Sequence, residues 1–211
     1  MNGLPGMVGS GMPETYELKL LLQYVRKVVS KYKRDVVIPS ELYRMLKTIE
    51  RSLDILKSYN YVEEEHPSPH VPLRLFQYWD VVAAARESYR NDVQYYFSGN
   101  TTALKPDYVV STIDEWLEQI DLGIARSFKF STIGHGDNGK SGIPACFFAY
   151  DITDWEENGM RNAVGHPLVN AKAMSVRVFP LFLEGPVRYM KTIQNDDKEM
   201  EDMYQKVLVS G

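Results

Sequence analysis

The chain has 211 residues, of which 44% are apolar and 25% charged, and this composition is typical of a globular protein rather than a disordered one. A net charge of −4 argues against a general nucleic-acid-binding protein, which usually carries a basic stripe. No apolar run approaches the roughly 20 residues of a membrane-spanning helix, and a signal peptide is not evident. Cys146 is the only cysteine, which excludes an intrachain disulfide. We therefore predict a cytoplasmic protein without membrane contact.

The N-terminal third of the chain predicts a loop followed by two helices. Residues 1–12 are rich in glycine and predict a flexible loop. From Pro13 onward, apolar residues at helical spacing predict an amphipathic helix, whose apolar face consists of Leu18, Leu21, Leu22, Val25, Val28, Val29 and Tyr32. Ser40 is suited to cap the N-terminus of a second helix, which should end near Asn60.

Two further helices are predicted in the middle of the chain, after a proline-rich connection at residues 66–72. The third helix should bury Leu75, Phe76, Trp79, Val82, Ala83 and Tyr89. Ser98–Thr102 is predicted to be a turn. The fourth helix should begin at Pro106, and its apolar stripe consists of Val109, Ile113, Trp116, Leu117, Ile120 and Ile124.

The sequence changes character in residues 130–182, which predict an insertion of loop and strand. Within it, Ala145–Asp154 and Ala173–Phe182 predict two strands that can pair, separated by an irregular segment at Glu156–Pro167. A short helix should start at Gly185, and Asp196 should cap a final helix together with Glu199. Taken together, we expect a mainly α fold in which residues 13–211 form one helical domain.

The segment Gly134–Ser141 matches the formula of a phosphate-binding loop, with Lys140 in the position that reaches the outer phosphate oxygens. Such a loop needs a following helix, whose N-terminus faces the phosphates. Here Gly142, Ile143 and Pro144 follow instead, and Asp137 would repel phosphate. A polar surface loop is therefore favoured over nucleotide binding.

A second cluster, Asp154-Trp155-Glu156, is typical of sugar-binding sites. An indole face stacks on the apolar face of a pyranose, while carboxylates bind hydroxyl groups or protonate a glycosidic oxygen. The same residues also suit the end of a strand and a turn. Glu184, which follows an apolar segment at a predicted helix start, either has a functional role or is favoured there by the helix dipole.

The remaining candidates for chemistry are the histidines and the cysteine. His66, His70, His135 and His166 lack the spacing of a metal site, so we predict no metal ligands and no cofactor. Cys146 lies within an apolar run, which predicts a buried, unreactive thiol.

Four strings in the same order resemble the cellobiose-phosphorylase-like proteins, a group of inverting glycoside phosphorylases. They are Gly11–Glu17, Trp79-Asp80 with Ala85–Arg90, Phe148–Glu156 and Phe179–Val187. The resemblance implies a barrel of helix pairs, an (α/α)₆ toroid, of which this shorter chain would be one segment. It also implies cleavage of a β-glucoside by inorganic phosphate, with one aspartic acid protonating the leaving oxygen and no cofactor. The partners would be an oligosaccharide, phosphate and the rest of a longer polypeptide.

Within this hypothesis, Asp154, Glu156 and Glu184 are the candidate catalytic residues, and Trp155, His135 and Asp137 the candidate substrate-binding residues. The family's acid lies in an Asp-Trp-Asn-Asp-Gly string, which residues 154–159 match in part. The alternative is a non-catalytic helical scaffold, an interaction segment of a larger protein. Nucleotide binding through Lys140 is a third hypothesis.

Overall fold

The computed structural model describes residues 9–57, 70–130, 142–179 and 182–210. Over these residues the chain forms a mixed α/β domain of helices and two small antiparallel sheets. The helices are α1 (Met12–Tyr32), α2 (Ser40–Lys57), α3 (Leu73–Val93), α4 (Pro106–Lys129), α5 (Glu184–Thr192) and α6 (Asp197–Ser210). The strands are β1 (Gly9–Gly11), β2 (Val36–Pro39), β3 (Thr101–Leu104), β4 (Phe147–Arg161) and β5 (Pro167–Val178).

The two sheets contradict the expected mainly α array of helix pairs, and the prediction of a segment of an (α/α)₆ toroid is wrong. β1, β4 and β5 form one sheet, with β4 in the centre, and β2 pairs with β3 in another. Residues 9–11, expected to belong to a flexible loop, form β1 instead and pair with β4 at residues 147–149. Short extended segments between helices give no helical period, yet their backbone groups still need partners, and here they find them in each other.

The core lies where α1, α4, α5 and α6 meet. Tyr16 of α1 is fully buried, and its ring meets the ring of Tyr189 edge-on at 5.5 Å between centroids. The hydroxyl group of Tyr189 donates a hydrogen bond to Glu199 Oε1 at 2.6 Å, and so the phenol is not left unpaired in the interior. The buried cluster consists of Met12, Tyr16, Ile124, Ile143, Tyr189 and Met203.

The predicted helices are present, and several of their signals are confirmed. Pro106 begins α4, and the α4 stripe is buried or half-buried throughout. Asp196 Oδ1 accepts a hydrogen bond from the backbone N–H of Glu199 at 2.9 Å, the geometry expected of an N-cap. The predicted pairing of the two late strands is also confirmed, although the strands are longer at the turn than expected.

Two helices are less buried on their predicted apolar faces than the sequence suggests. On α1 only Leu22 and Val29 of the predicted apolar face are buried. On α3 no residue is fully buried, and Trp79 is 51% exposed. Amphipathic spacing locates an apolar face, but it does not determine whether the same chain covers that face.

Candidate functional site

The outer part of the β4–β5 hairpin, here called the arm, consists of residues 152–172. Every residue from Ile152 to Asn170 is exposed except Asn158, which is half-buried. At about 3.3 Å per residue, the strands carry the turn roughly 30 Å beyond Ile152. The arm is therefore a two-stranded ribbon with solvent on both faces.

The base of the same hairpin is embedded in the domain. Phe147 is 4% exposed, and its ring meets that of Phe182 edge-on at 6.0 Å. Met174 is 7% exposed, and its backbone carbonyl accepts a hydrogen bond from the N–H of Val71 at 2.9 Å. The backbone N–H of Met12 donates to the carbonyl of Cys146 at 2.8 Å. These contacts fix the direction in which the arm leaves the domain.

The arm carries large apolar side chains that a two-stranded ribbon cannot bury. Trp155 is 58% exposed, and Val164, next to the tip, is 77% exposed. Others exposed on the arm are Ile152, Met160, Leu168 and Val169. An isolated hairpin is marginally stable in water, and exposed apolar area of this kind commonly marks an interaction surface.

One face of the arm combines apolar and acidic groups. Trp155 pairs with Ala171 and Glu157 with Val169, and because the register is regular between these pairs their side chains share a face. We call these four residues the Trp155 face. Glu157 makes no ion pair within the described residues, so the face presents an exposed indole beside an unneutralised carboxylate.

The other charges near the arm are largely neutralised. Glu156 Oε2 lies 2.6 Å from Lys172 Nζ. At the base of the arm, Arg177 donates to both carboxylate oxygens of Asp151, at 2.6 and 3.0 Å. Both pairs are exposed to solvent, which screens the attraction between their charges, so they add little to stability.

The tip is a tight turn built from side-chain and backbone hydrogen bonds. Asn162 Oδ1 accepts from the backbone N–H groups of Val164 and His166 at 3.1 and 3.0 Å. Gly165 has a φ of +86°, a conformation that a residue with a Cβ rarely adopts. His166 follows this turn directly and precedes β5.

The candidate catalytic residues do not converge. Asp154 and Glu156 lie on the arm, whereas Glu184 begins α5 and lies 3.6 Å from Arg188. Gly185 packs against Cys146, which precedes β4, so Glu184 stands at the hairpin base. Asp154 is roughly 25 Å further along β4 at the usual rise per residue. Paired glycosidase carboxylates are about 5–10 Å apart, so Glu184 does not share a site with Asp154.

Trp155 is placed as a sugar-stacking residue would need to be, with its indole in solvent, but no cleft encloses it on the exposed arm. His135 and Asp137 lie outside the described residues, as does the whole phosphate-loop string with Lys140. Their proposed roles in substrate and nucleotide binding stay predictions.

Cys146 is a buried thiol, as predicted. It is 1% exposed, and burial raises its pKa to about 11. The group is therefore protonated at neutral pH and suits packing rather than nucleophilic attack. Among the described residues no group of His, Cys, Asp and Glu is arranged to hold a metal ion.

A half-buried polar cluster lies between α2 and α4, and no motif in the sequence indicates it. Tyr108 donates to Glu50 Oε2 at 2.7 Å, and Lys47 Nζ lies 2.6 Å from the same oxygen. Burial raises the pKa of Tyr108, and its hydrogen bond to Glu50 adds to the rise. A catalytic tyrosine that acts as a base needs the opposite shift, so this cluster is a link between helices.

No helix in the described part of the chain has the length and apolar character needed to cross a lipid bilayer. Comparison of the sequence with protein-family models gave no match, and comparison with curated proteins gave no significant match. The cellobiose-phosphorylase resemblance therefore stays a prediction. The arm is the feature of the described structure that most requires a functional explanation.

Proposed function

We propose that this chain is a non-catalytic interaction protein whose arm docks into an apolar groove on another protein. The observation that carries the proposal is the exposure of residues 152–170 together with Trp155, Val164 and Val169. A two-stranded ribbon of this size is only marginally stable in water. Binding to a partner would bury its apolar surface, which favours the bound state.

The charge of the Trp155 face indicates which charge the partner's groove should carry. Glu157 is exposed and makes no ion pair within the described residues, so a groove with a basic rim would complement it. The chain's net charge of −4 disfavours nucleic acid and anionic membrane surfaces as partners. The partner class is therefore a protein with an apolar, basic-rimmed groove.

A photo-crosslinking experiment in the source cells tests this proposal. A photoreactive phenylalanine replaces Trp155 in the full chain, and the matched control carries it at Tyr95, which is 84% exposed on a different part of the surface. We expect a discrete covalent adduct with another protein from position 155 alone, and its loss in Glu157→Lys. The same adducts from both positions, adducts with lipid only, or no adduct at all would contradict the proposal.

Carbohydrate binding is a second candidate, supported by the exposed indole of Trp155 between Asp154 and Glu156. Cellobiose with inorganic phosphate is the probe, and calorimetry with the full chain is the measurement. Binding that Trp155→Ala abolishes would support this candidate. Absence of binding at millimolar cellobiose removes it and leaves the docking proposal in place.

A further inference from the structure

Helix α1 packs against its neighbours with a face that combines buried apolar residues and two ion pairs. Lys19 Nζ lies 2.7 Å from Asp121 Oδ1 on α4. One heptad later along α1, Arg26 donates from Nη2 to Asp114 Oδ2 at 3.0 Å. Because residue numbers rise along α1 as they fall along α4 in these two contacts, the helices are antiparallel. Tyr16, Leu22 and Val29 are buried on this same side of α1, so the fold already covers it.

The opposite side of α1 is an apolar stripe that no described element covers. Leu18 is 45% exposed, Leu21 57% and Tyr32 60%, and Val25 and Val28 between them are half-buried. The residues are spaced alternately by three and four positions, which is the a and d pattern of a coiled coil. We call this stripe the α1 seam: Leu18, Leu21, Val25, Val28 and Tyr32.

The charges of α1 indicate what covers the seam. The N-terminal end is acidic, with Glu14 and Glu17, and the C-terminal end is basic, with Lys27 and Lys31. Glu17 is already bound by Arg188 and Lys191, but Glu14 and Lys31 make no ion pair within the described residues. A second copy of α1 in antiparallel orientation places the basic end of each helix against the acidic end of the other.

The register of such a pair follows from the seam itself. Antiparallel coiled coils pair a with d positions, so Leu18 meets Val28 of the other copy and Leu21 meets Val25. Glu14, one heptad before Leu21, then lies opposite Tyr32 of the other copy and next to its Lys31, so the two charges without an ion pair in the described residues meet at each end of the pair. A parallel arrangement with the same seam places Glu14 opposite Glu14 of the other copy and brings like charges together.

We infer that the α1 seam is a self-association surface, through which two copies of this chain form an antiparallel, two-fold symmetric helix pair. The interface is isologous, since each copy contributes the same residues, and it leaves the arm of each copy available for its own partner. The inference does not rest on the function proposed for the arm.

Sedimentation equilibrium of the full chain tests the inference. We expect a dimer for the unchanged protein at tens of micromolar, and at least a hundredfold weaker association for Leu21→Glu, which puts two charges into the seam. Leu208→Glu is the matched control, because Leu208 on α6 is also 57% exposed but lies outside the seam. Circular dichroism confirms that both variants are folded.

A monomeric chain at all concentrations, or equal weakening by Leu21→Glu and Leu208→Glu, would overturn the inference. Trp155→Ser should leave the dimer intact. If it dissociates the dimer, the arm and not α1 is the self-association surface.

The orientation is tested by charge reversal. Lys31→Glu should weaken the dimer about tenfold at low salt, because both symmetric rim contacts change from attraction to repulsion. When the Lys31→Glu and Glu14→Lys variants are mixed, a heterodimer should form more readily than the homodimer of either variant. Unchanged association of Lys31→Glu, or no preference in the mixture, would contradict the antiparallel arrangement.

Discussion

The base and the outer arm of the β4–β5 hairpin have the same secondary structure but differ in burial and in their contacts with the rest of the domain. At the base, Phe147 and Met174 are buried and the neighbouring backbone groups bond to β1 and to residue 71. In the outer arm the ladder between the strands continues, but Trp155 and Val164 stand in solvent. This difference shows that strand pairing alone does not bury a side chain. Burial comes from the elements that cover the sheet, and these stop near Ile152.

The largest expected effect is therefore a destabilisation that is confined to the base. Phe147→Ala should lower the free energy of unfolding by about 3–5 kcal/mol, because it leaves a cavity beside Phe182. Urea denaturation of the full chain measures this, with Trp155→Ala in the arm as the control, which should change stability by no more than about 0.5 kcal/mol. Equal losses in the two variants would show that the arm is packed after all.

A smaller effect is expected from overpacking at the base. A Cβ on Gly185 would lie 2.7 Å from Cys146 Sγ and 2.9 Å from Cys146 Cβ, so Gly185→Ala should cost about 1–3 kcal/mol. Cys146→Ala in the same chain should recover part of that loss, since it removes the nearer atom. The cost of the double variant, measured by thermal and urea unfolding, should thus be less than the sum of the two single costs. Simple additivity would argue against contact between these residues.

At the tip the expected effect is local. Gly165→Ala places a Cβ on a residue with φ +86°, which costs about 1–2 kcal/mol for a left-handed conformation. We expect faster amide exchange in residues 152–172, with unchanged exchange at Phe148 and Val178. Faster exchange at Phe148 and Val178 as well would mean that the hairpin and the rest of the domain open as one unit.

The smallest expected effect is a pH dependence of stability that arises from Glu17 on α1 and not from the arm. Hydrogen bonds from Arg188 and then from Lys191 lower the pKa of Glu17 from its ordinary value of 4.5. A carboxyl group with a depressed folded pKa stabilises the protein above the unfolded pKa, and this contribution is lost as the pH falls through the folded value.

The stability of Glu17→Gln should accordingly decline less steeply below about pH 4.5 than that of the unchanged chain. Urea unfolding at stepped pH values between about 3 and 6 measures it. Glu157→Gln in the arm, whose carboxylate makes no ion pair in the described residues, is the control and should follow the unchanged chain. If the stability of the two variants depends on pH in the same way, the contact between Glu17 and Arg188 does not contribute to the pH dependence of folding.

Local signals in the sequence were sufficient for the helices and for some of their ends. The repeat of apolar residues in α4, the proline at its start and the Asp196 cap are properties of a few adjacent residues, and the structure confirms them. The buried thiol of Cys146 was likewise predicted from its apolar neighbours. The toroid was not supported by any local signal, since it came from a resemblance, and the sheets contradict it.

What the sequence by itself determined is where the chain is helical, that two late strands can pair, and which residues form apolar faces. Only the tertiary structure decided which of those faces are covered. On α1, Leu22 and Val29 are buried on the side that the ion pairs Lys19–Asp121 and Arg26–Asp114 hold against α4. Leu21 and Tyr32 of the α1 seam are exposed. Trp155 lies on β4, just beyond the strand end predicted at Asp154, and no described layer covers it. The physical reason is that periodicity follows from backbone geometry within one element, whereas burial depends on contacts between residues that are far apart in the sequence.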